Sequence, residues 1–222
     1  MNYQDNSYAL SQPSVLETNK VLRNTYILLS LSLFFSAGTG YIAMMTEAQP
    51  MGFWFFIIGA MGLMFFTQAF SKSFVGLIGM FLFAGFIGYH LGPIINMLLK
   101  SVNGAKIVSL SMGGTGAIFL VLSSYALITR KSFSYLKSFI FTGFTVAFLA
   151  MIGAYVFDLE ALEIVISGSF LLISSAYILY QTSEVINGKE TNYIIAAIGL
   201  YISIYNIFVS LLHLLSVLSG DD

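Results

Sequence analysis

The segment YISIYNIFVSLLHLL, residues 201–215, combines an apolar composition with regularly spaced polar residues. It is apolar enough to lie inside a membrane, yet it carries Ser203, Asn206, Ser210 and His213. The steps between them are three, four and three residues, so all four lie on one face of a helix. That face either conducts ions, catalyses a reaction or holds helices together.

The composition indicates an integral membrane protein. Hydrophobic residues make up 58% of the 222 residues and charged residues only 9%, whereas a soluble domain has about 25% charged residues. Most of the surface must therefore face lipid. The net charge of −1 favours neither nucleic acid nor an anionic membrane surface as a partner. The absence of cysteine excludes disulfides and thiolate chemistry.

Long apolar segments predict seven membrane-spanning helices, because a helix needs about 20 apolar residues to cross the hydrocarbon. The expected fold is an all-α membrane protein with a single transmembrane domain over residues 21–218. A polar tail, residues 1–20, precedes it and lacks the apolar core of a signal peptide. The predicted spans are 22–45, 51–70, 74–99, 107–129, 136–157, 162–181 and 193–217.

The basic residues predict the orientation of these spans. With the N-terminus in the cytoplasm and the C-terminus outside, the outer side receives only Lys100 and Lys106. The cytoplasmic side then receives the larger set: Lys20, Arg23, Lys72, Arg130, Lys131, Lys137 and Lys189.

The third span contains the motif GYHLGP, residues 88–93. Gly88 and Gly92 are four residues apart, a spacing that allows close contact with a neighbouring helix. Pro93 removes an intrahelical hydrogen bond. We interpret this motif as a packing contact and a bend rather than as a ligand site.

Polar side chains without formal charge are the candidate functional groups, because no Asp, Glu, Lys or Arg lies deep in any span. Ser167, Ser174 and Gln181 follow one another at seven-residue steps on the sixth span. With the polar face of residues 201–215 they could form a shared polar seam. Hydrogen bonding between helices and a hydrated pathway are both open, and we favour hydrogen bonding.

Two histidines, His90 and His213, are secondary candidates because histidine titrates near neutral pH. Hydrogen bonding or an interfacial position is the commoner role of such residues, and a role in proton transfer is the alternative. The sequence contains no HExxH motif, no Walker lysine and no marked nucleophile. We therefore predict no catalytic residue, no cofactor and no bound metal.

Three stretches resemble the Bax inhibitor-1 family, in particular its bacterial YccA-type branch. They are KVLRNTYILLSLSLFFSA (20–37), GYHLGPIINMLL with SLSMGGTGAIF (88–99 and 109–119), and the long C-terminal stretch ISSAYILYQTSEVINGKETNYIIAAIGLYISIYNIFVSLL (173–212). The resemblance implies seven helices, the last one central and wrapped by the other six. A central helix can carry a polar face because it contacts protein rather than lipid.

Members of this family that resemble calcium leak channels carry a pair of aspartates on the last two helices. The matching positions here are Gln181 and Ser203, which do not titrate. Glu184, three residues after Gln181, and Asn206 are further polar residues near these positions. The resemblance thus makes a pH-sensitive calcium or cation leak the alternative function, with the calcium ion as a partner, and the loss of both aspartates argues against it.

The YccA-type branch is associated with the membrane-bound AAA protease FtsH, as a slow substrate and competitor. The resemblance therefore implies a non-enzymatic modulator of an FtsH-like protease, located in the inner membrane of a bacterium. Its partners would be that protease and the lipid bilayer. The polar tail would supply the cytoplasmic segment that the protease engages.

Overall fold

The computed structural model describes residues 15–220, which form seven α-helices and one short 3₁₀ helix. The 3₁₀ helix, Glu160–Leu162, connects α5 to α6. The α-helices are α1 (Val15–Met45), α2 (Phe53–Ala69), α3 (Phe74–Leu99), α4 (Gly104–Thr129), α5 (Leu136–Phe157), α6 (Glu163–Ile186) and α7 (Tyr193–Ser219).

Every predicted span coincides with one of these helices. Six of the seven are long and apolar enough to cross a membrane. The exception is α2, which has 17 residues and is therefore about 25 Å long. Helix α1 begins at Val15, and its part that is apolar enough to span a membrane begins at Asn19. Residues 1–14 of the predicted tail lie outside the described residues.

Short connections join consecutive helices, so neighbours in the chain run antiparallel. We call the end of the bundle at which α1, α3, α5 and α7 begin the N-terminal face, and the opposite end the C-terminal face. Seven of the nine basic residues belong to helix ends and connections at the N-terminal face. Lys100 follows the end of α3 and Lys106 lies in the first turn of α4, so both are at the C-terminal face.

Helix α7 is the most enclosed of the long helices. Half of the residues in its most apolar 18-residue stretch are buried. This share is larger than in any of the other five long apolar helices among residues 15–220. It packs mainly against α6, α4 and α1, and it also contacts α2 and α3. The fifth helix is different, because α5 packs against α6 and none of its Cα atoms lies within 8 Å of a Cα atom of α7.

The main hydrophobic core lies where α7 meets α1, α3 and α6. It includes Leu29, Met80, Ile178, Ile198 and Ile207, all of which are almost fully buried. A smaller cluster of Ile140, Ala147 and Ile173 joins α5 to α6. The smaller cluster explains why α5 packs against α6 rather than against α7.

Glycines bring α1 and α3 into close contact, as the spacing in GYHLG predicts. A Cβ atom at Gly88 would collide with the backbone oxygen and the side chain of Ser36. A Cβ atom at Gly92 would lie 2.6 Å from the Gly40 oxygen and 2.6 Å from Ala43 Cβ. The backbones of the two helices can approach this closely only because these positions have no side chain.

We expect Gly88→Ala to destabilise the bundle by about 1–3 kcal/mol, because the added methyl group must displace the backbone of α1. Thermal or denaturant unfolding of the purified protein in detergent measures this change. Gly113→Ala is the matched control, since a Cβ atom at Gly113 would meet nothing within 4 Å. Equal stability of the two variants would contradict the proposed contact.

Candidate functional site

The polar face of α7 lies partly against protein and partly against a cavity. Ser203 and Ser210 are buried, whereas Asn206 and His213 are half-buried. Asn206, Ser210 and His213 line a cavity of about 830 Å³ between α7 and helices α2, α5 and α6. Ser203 is not among the residues that line it. The polar face therefore divides into an enclosed part near Ser203 and a cavity-lining part nearer the C-terminal face.

Gln181 and Ser203, which the resemblance matches to a pair of aspartates, are both buried. The structure shows no hydrogen bond between these two side chains. Ser203 Oγ donates to the Gly199 oxygen in its own helix at 3.1 Å, as serines in helices commonly do. Gln181 Nε2 has no hydrogen-bond partner within residues 15–220.

A hydrogen bond between α6 and α7 is found instead near the C-terminal face. Ser167 Oγ of α6 and His213 Nδ1 of α7 are 2.9 Å apart. Both residues belong to the predicted polar seam, so the two helices do bond to each other within it. His213 Nε2 lies 3.3 Å from Glu163 Oε2, at the start of α6. Side chains of α6 therefore contact both ring nitrogens of His213 and fix the orientation of its ring.

Glu184 lies at the opposite end of α6, in a network that fixes the connection between α4 and α5. Ser134 Oγ donates to Glu184 Oε1 at 2.6 Å, and Lys189 Nζ lies 3.7 Å from the same oxygen. The Phe133 backbone N–H donates to Ser183 Oγ at 2.9 Å. These contacts give Glu184 a structural role at the N-terminal face.

The remaining candidates occupy other interfaces. His90 stacks on Phe56 of α2, with ring centroids 3.8 Å apart. Its buried Nδ1 has no hydrogen-bond partner in the part of the chain that the structure describes. Ser174 is fully buried on α6, and its hydroxyl is likewise without a partner among the described residues.

Five further buried polar residues, which sequence reasoning did not single out, lie elsewhere in the bundle. Their hydroxyl groups are buried and have no hydrogen-bond partner within residues 15–220. They belong to helices that pack against α6 or α7. They are Thr25 and Ser32 on α1, Ser111 and Ser123 on α4, and Thr182 on α6.

Tyr201 is the most important residue that the sequence did not indicate. Its hydroxyl donates to Ser36 Oγ at 2.7 Å and lies 3.3 Å from the Ala84 oxygen. The side chain is almost fully buried and meets Phe83 edge to face. This one side chain therefore joins α7 to both α1 and α3.

Acidic and histidine side chains come together at one place near the C-terminal face. Within residues 15–220, no three His, Asp or Glu side chains are close enough together to hold a metal ion. The groups that the structure does bring together are Ser167, His213 and Glu163, in which the glutamate side chain is 57% exposed. The arrangement supports interhelical contacts and an apolar cavity with one polar end.

We expect Tyr201→Phe to lower the stability of the bundle by about 1 kcal/mol, a typical value for a hydrogen bond between helices in a membrane. The cause would be the loss of the hydroxyl that bonds to Ser36. Unfolding in detergent measures the change, with Tyr125→Phe as the control because Tyr125 is exposed. A loss of equal size in the control would show that the Ser36 bond is not responsible.

Comparison with known proteins gives a consistent assignment. The family model described as Inhibitor of apoptosis-promoting Bax1 matches residues 18–220. The Modulator of FtsH protease YccA from Escherichia coli K12 is 44% identical over 208 residues, which cover 94% of each chain. An Uncharacterized protein of Pseudomonas aeruginosa is 43% identical over 99% of this chain and 98% of its own.

A further relative, from Escherichia coli O6:H1, is named Inner membrane protein YccA and is 44% identical over 94% of both chains. The family match spans nearly all the described residues, and these relatives match along almost their entire length. The chain therefore belongs to the Bax inhibitor-1 family.

Proposed function

We propose that this protein is a non-enzymatic modulator of an FtsH-like AAA protease in the bacterial inner membrane. The observation that carries the proposal is the 44% identity, over 94% of both chains, to a protein named as a modulator of that protease. A relative named as an inner membrane protein supports the location.

In this proposal all seven helices span the membrane, and the N-terminal face lies in the cytoplasm. The distribution of basic residues supports that orientation, because cytoplasmic segments are enriched in Lys and Arg. The polar residues 1–20 then begin on the side where a cytoplasmic AAA domain could engage them. The C-terminus lies outside, after the seventh span.

Helix α7 acts as the central helix that resists extraction of the others. A protease that pulls on the N-terminus must first separate α1 from the bundle. Helix α1 is held by the close glycine contact with α3 and by the bond between Ser36 and Tyr201. Extraction therefore requires several contacts to break together, which would slow the protease and keep it occupied.

A calcium or cation leak is the alternative, and the residues at the family's aspartate positions argue against it. Gln181 and Ser203 carry no charge at any physiological pH, so they cannot switch a pathway by protonation. Glu184 is held by Ser134 and lies near Lys189 at the N-terminal face. We therefore favour the protease modulator.

A degradation assay with purified FtsH-type protease and an independent membrane substrate tests this proposal. Addition of the full-length protein should slow degradation of the substrate, because both proteins compete for the protease. Deletion of residues 2–14 should abolish this competition while leaving α1 intact. Unchanged inhibition by the deletion variant would refute the role of the tail.

Gly88→Ala provides a second arm of the same assay. If packing causes the slow degradation, this variant should be degraded faster and should compete for a shorter time. Gly113→Ala should behave like the unsubstituted protein. If neither the protein nor its variants affect the independent substrate, the proposed function is wrong.

A further inference from the structure

A groove lies between α2 and α5, whose backbones stay apart although the rings of Phe53 and Tyr155 stack across one end of it. Within residues 15–220, no Cα atom of α2 lies within 8 Å of a Cα atom of α5. The space between them is the cavity of about 830 Å³ that reaches α7. Its lining is mostly apolar and includes Phe56, Met64, Phe148 and Tyr205.

Exposed apolar side chains in the lining indicate that the groove opens sideways, toward lipid. They include Phe141 and Leu149 of α5 and Met61 of α2. An apolar opening on the membrane-facing surface is accessible to hydrocarbon chains but not to dissolved solutes. A hydrocarbon chain from the membrane is therefore the occupant that suits this opening.

The length of the groove distinguishes between the possible occupants. At a rise of about 1.5 Å per residue, the lining stretch of α5 from Phe141 to Tyr155 is about 21 Å long, and that of α7 from Tyr201 to His213 is about 18 Å long. One leaflet contributes about 15 Å of hydrocarbon, whereas a transmembrane helix must cross about 30 Å. The groove therefore fits a lipid chain from one leaflet better than a partner helix.

Polar groups mark one end of the groove, at the C-terminal face. Glu163, Ser167 and His213 line the cavity there. Phe53 and Tyr155 stack at 3.9 Å between the start of α2 and the end of α5, at the level where aromatic residues meet lipid headgroups. The polar end and the apolar length together match the amphipathic shape of a phospholipid.

Charge selects the type of headgroup. The connection that leads into α6 carries Asp158, Glu160 and Glu163, and no basic residue lies between Asp158 and Glu163. Glu163 is 57% exposed, so its carboxylate remains accessible beside His213. Among the residues that line the cavity, Glu163 is the only Asp, Glu, Lys or Arg, because Lys100 and Lys106 of the same face lie outside the lining. Its carboxylate repels a headgroup that carries only a phosphate and attracts one that also carries an ammonium group.

We propose that the groove between α2 and α5 binds one acyl chain of an aminophospholipid, such as phosphatidylethanolamine, with the ammonium group beside Glu163. The lipid would come from the leaflet at the C-terminal face. It would cover the side of α7 that α5 leaves open, including Asn206 and Tyr205. This inference does not depend on the proposed role in proteolysis.

Native mass spectrometry of the full-length protein tests the acyl-chain site. Titration with phosphatidylethanolamine should give one tightly bound lipid per protein. Thr145→Phe places a ring in the groove and should weaken that binding more than about tenfold, since several buried methylene groups would be displaced. Val146→Phe is the matched control, because Val146 is exposed on the same helix but does not line the cavity.

The headgroup preference is tested with phosphatidylglycerol that carries the same acyl chains. The unsubstituted protein should bind phosphatidylethanolamine more tightly, and Glu163→Gln should reduce this preference about two- to fivefold, as expected for an exposed ion pair. Glu160→Gln makes the same change in charge outside the cavity lining and should have a smaller effect. Equal binding of both lipids by the unsubstituted protein would overturn the headgroup assignment.

A fluorescence measurement on the unsubstituted protein tests the lipid site without requiring that a variant folds correctly. Trp54 is the only tryptophan in the chain, and its ring centroid lies 6.2 Å from that of Tyr155 beside the groove. Brominated phosphatidylethanolamine added in detergent should quench Trp54 in a saturable manner, at lower concentration than brominated phosphatidylglycerol. Non-saturable quenching by both lipids, or a dimer that Thr145→Phe dissociates, would overturn the proposal.

Discussion

A polar side chain inside a membrane needs a protein partner or water, because lipid can offer it no hydrogen bond. On α7 this constraint applies most directly to Tyr201, whose hydroxyl has its partners on α1 and α3. Tyr201, Ser203 and Ser210 are buried, and the neighbours that bury them come from α1, α3, α4 and α6. Tyr201 also bonds to Ser36. Helix α7 is therefore buried by α1 and at the same time holds α1 in place.

The two sides of α7 differ in a way that matters for function. Toward α1 and α3 the bundle is closed by glycine contacts and by the Tyr201 hydroxyl. Toward α5 it is open, and Asn206 and His213 line the cavity there. The closed side accounts for the proposed resistance to extraction by a protease. The open side accounts for the proposed lipid, which would complete the cover of α7.

Sequence reasoning predicted what depends on local patterns and missed what depends on how helices approach each other. The number and approximate positions of the helices and the contact at Gly88 followed from hydropathy and spacing. The partners of Ser203 and Gln181 did not, because a serine can bond either across helices or to its own backbone. Tyr201 was overlooked because a tyrosine among apolar residues gives no sign of its partner, and the groove depends on the separation of α2 from α5.

The central claim is that the polar face of α7 holds helices together and does not form a pH-gated pathway. Calcium flux into liposomes that contain the purified protein, measured from neutral to acidic pH, tests it most directly. We expect the unsubstituted protein to give no more flux than empty liposomes at any pH. The double variant Gln181→Asp with Ser203→Asp should gain a pH-dependent leak, since it restores the pair of carboxyl groups. Strong pH-dependent calcium flux through the unsubstituted protein would contradict the account.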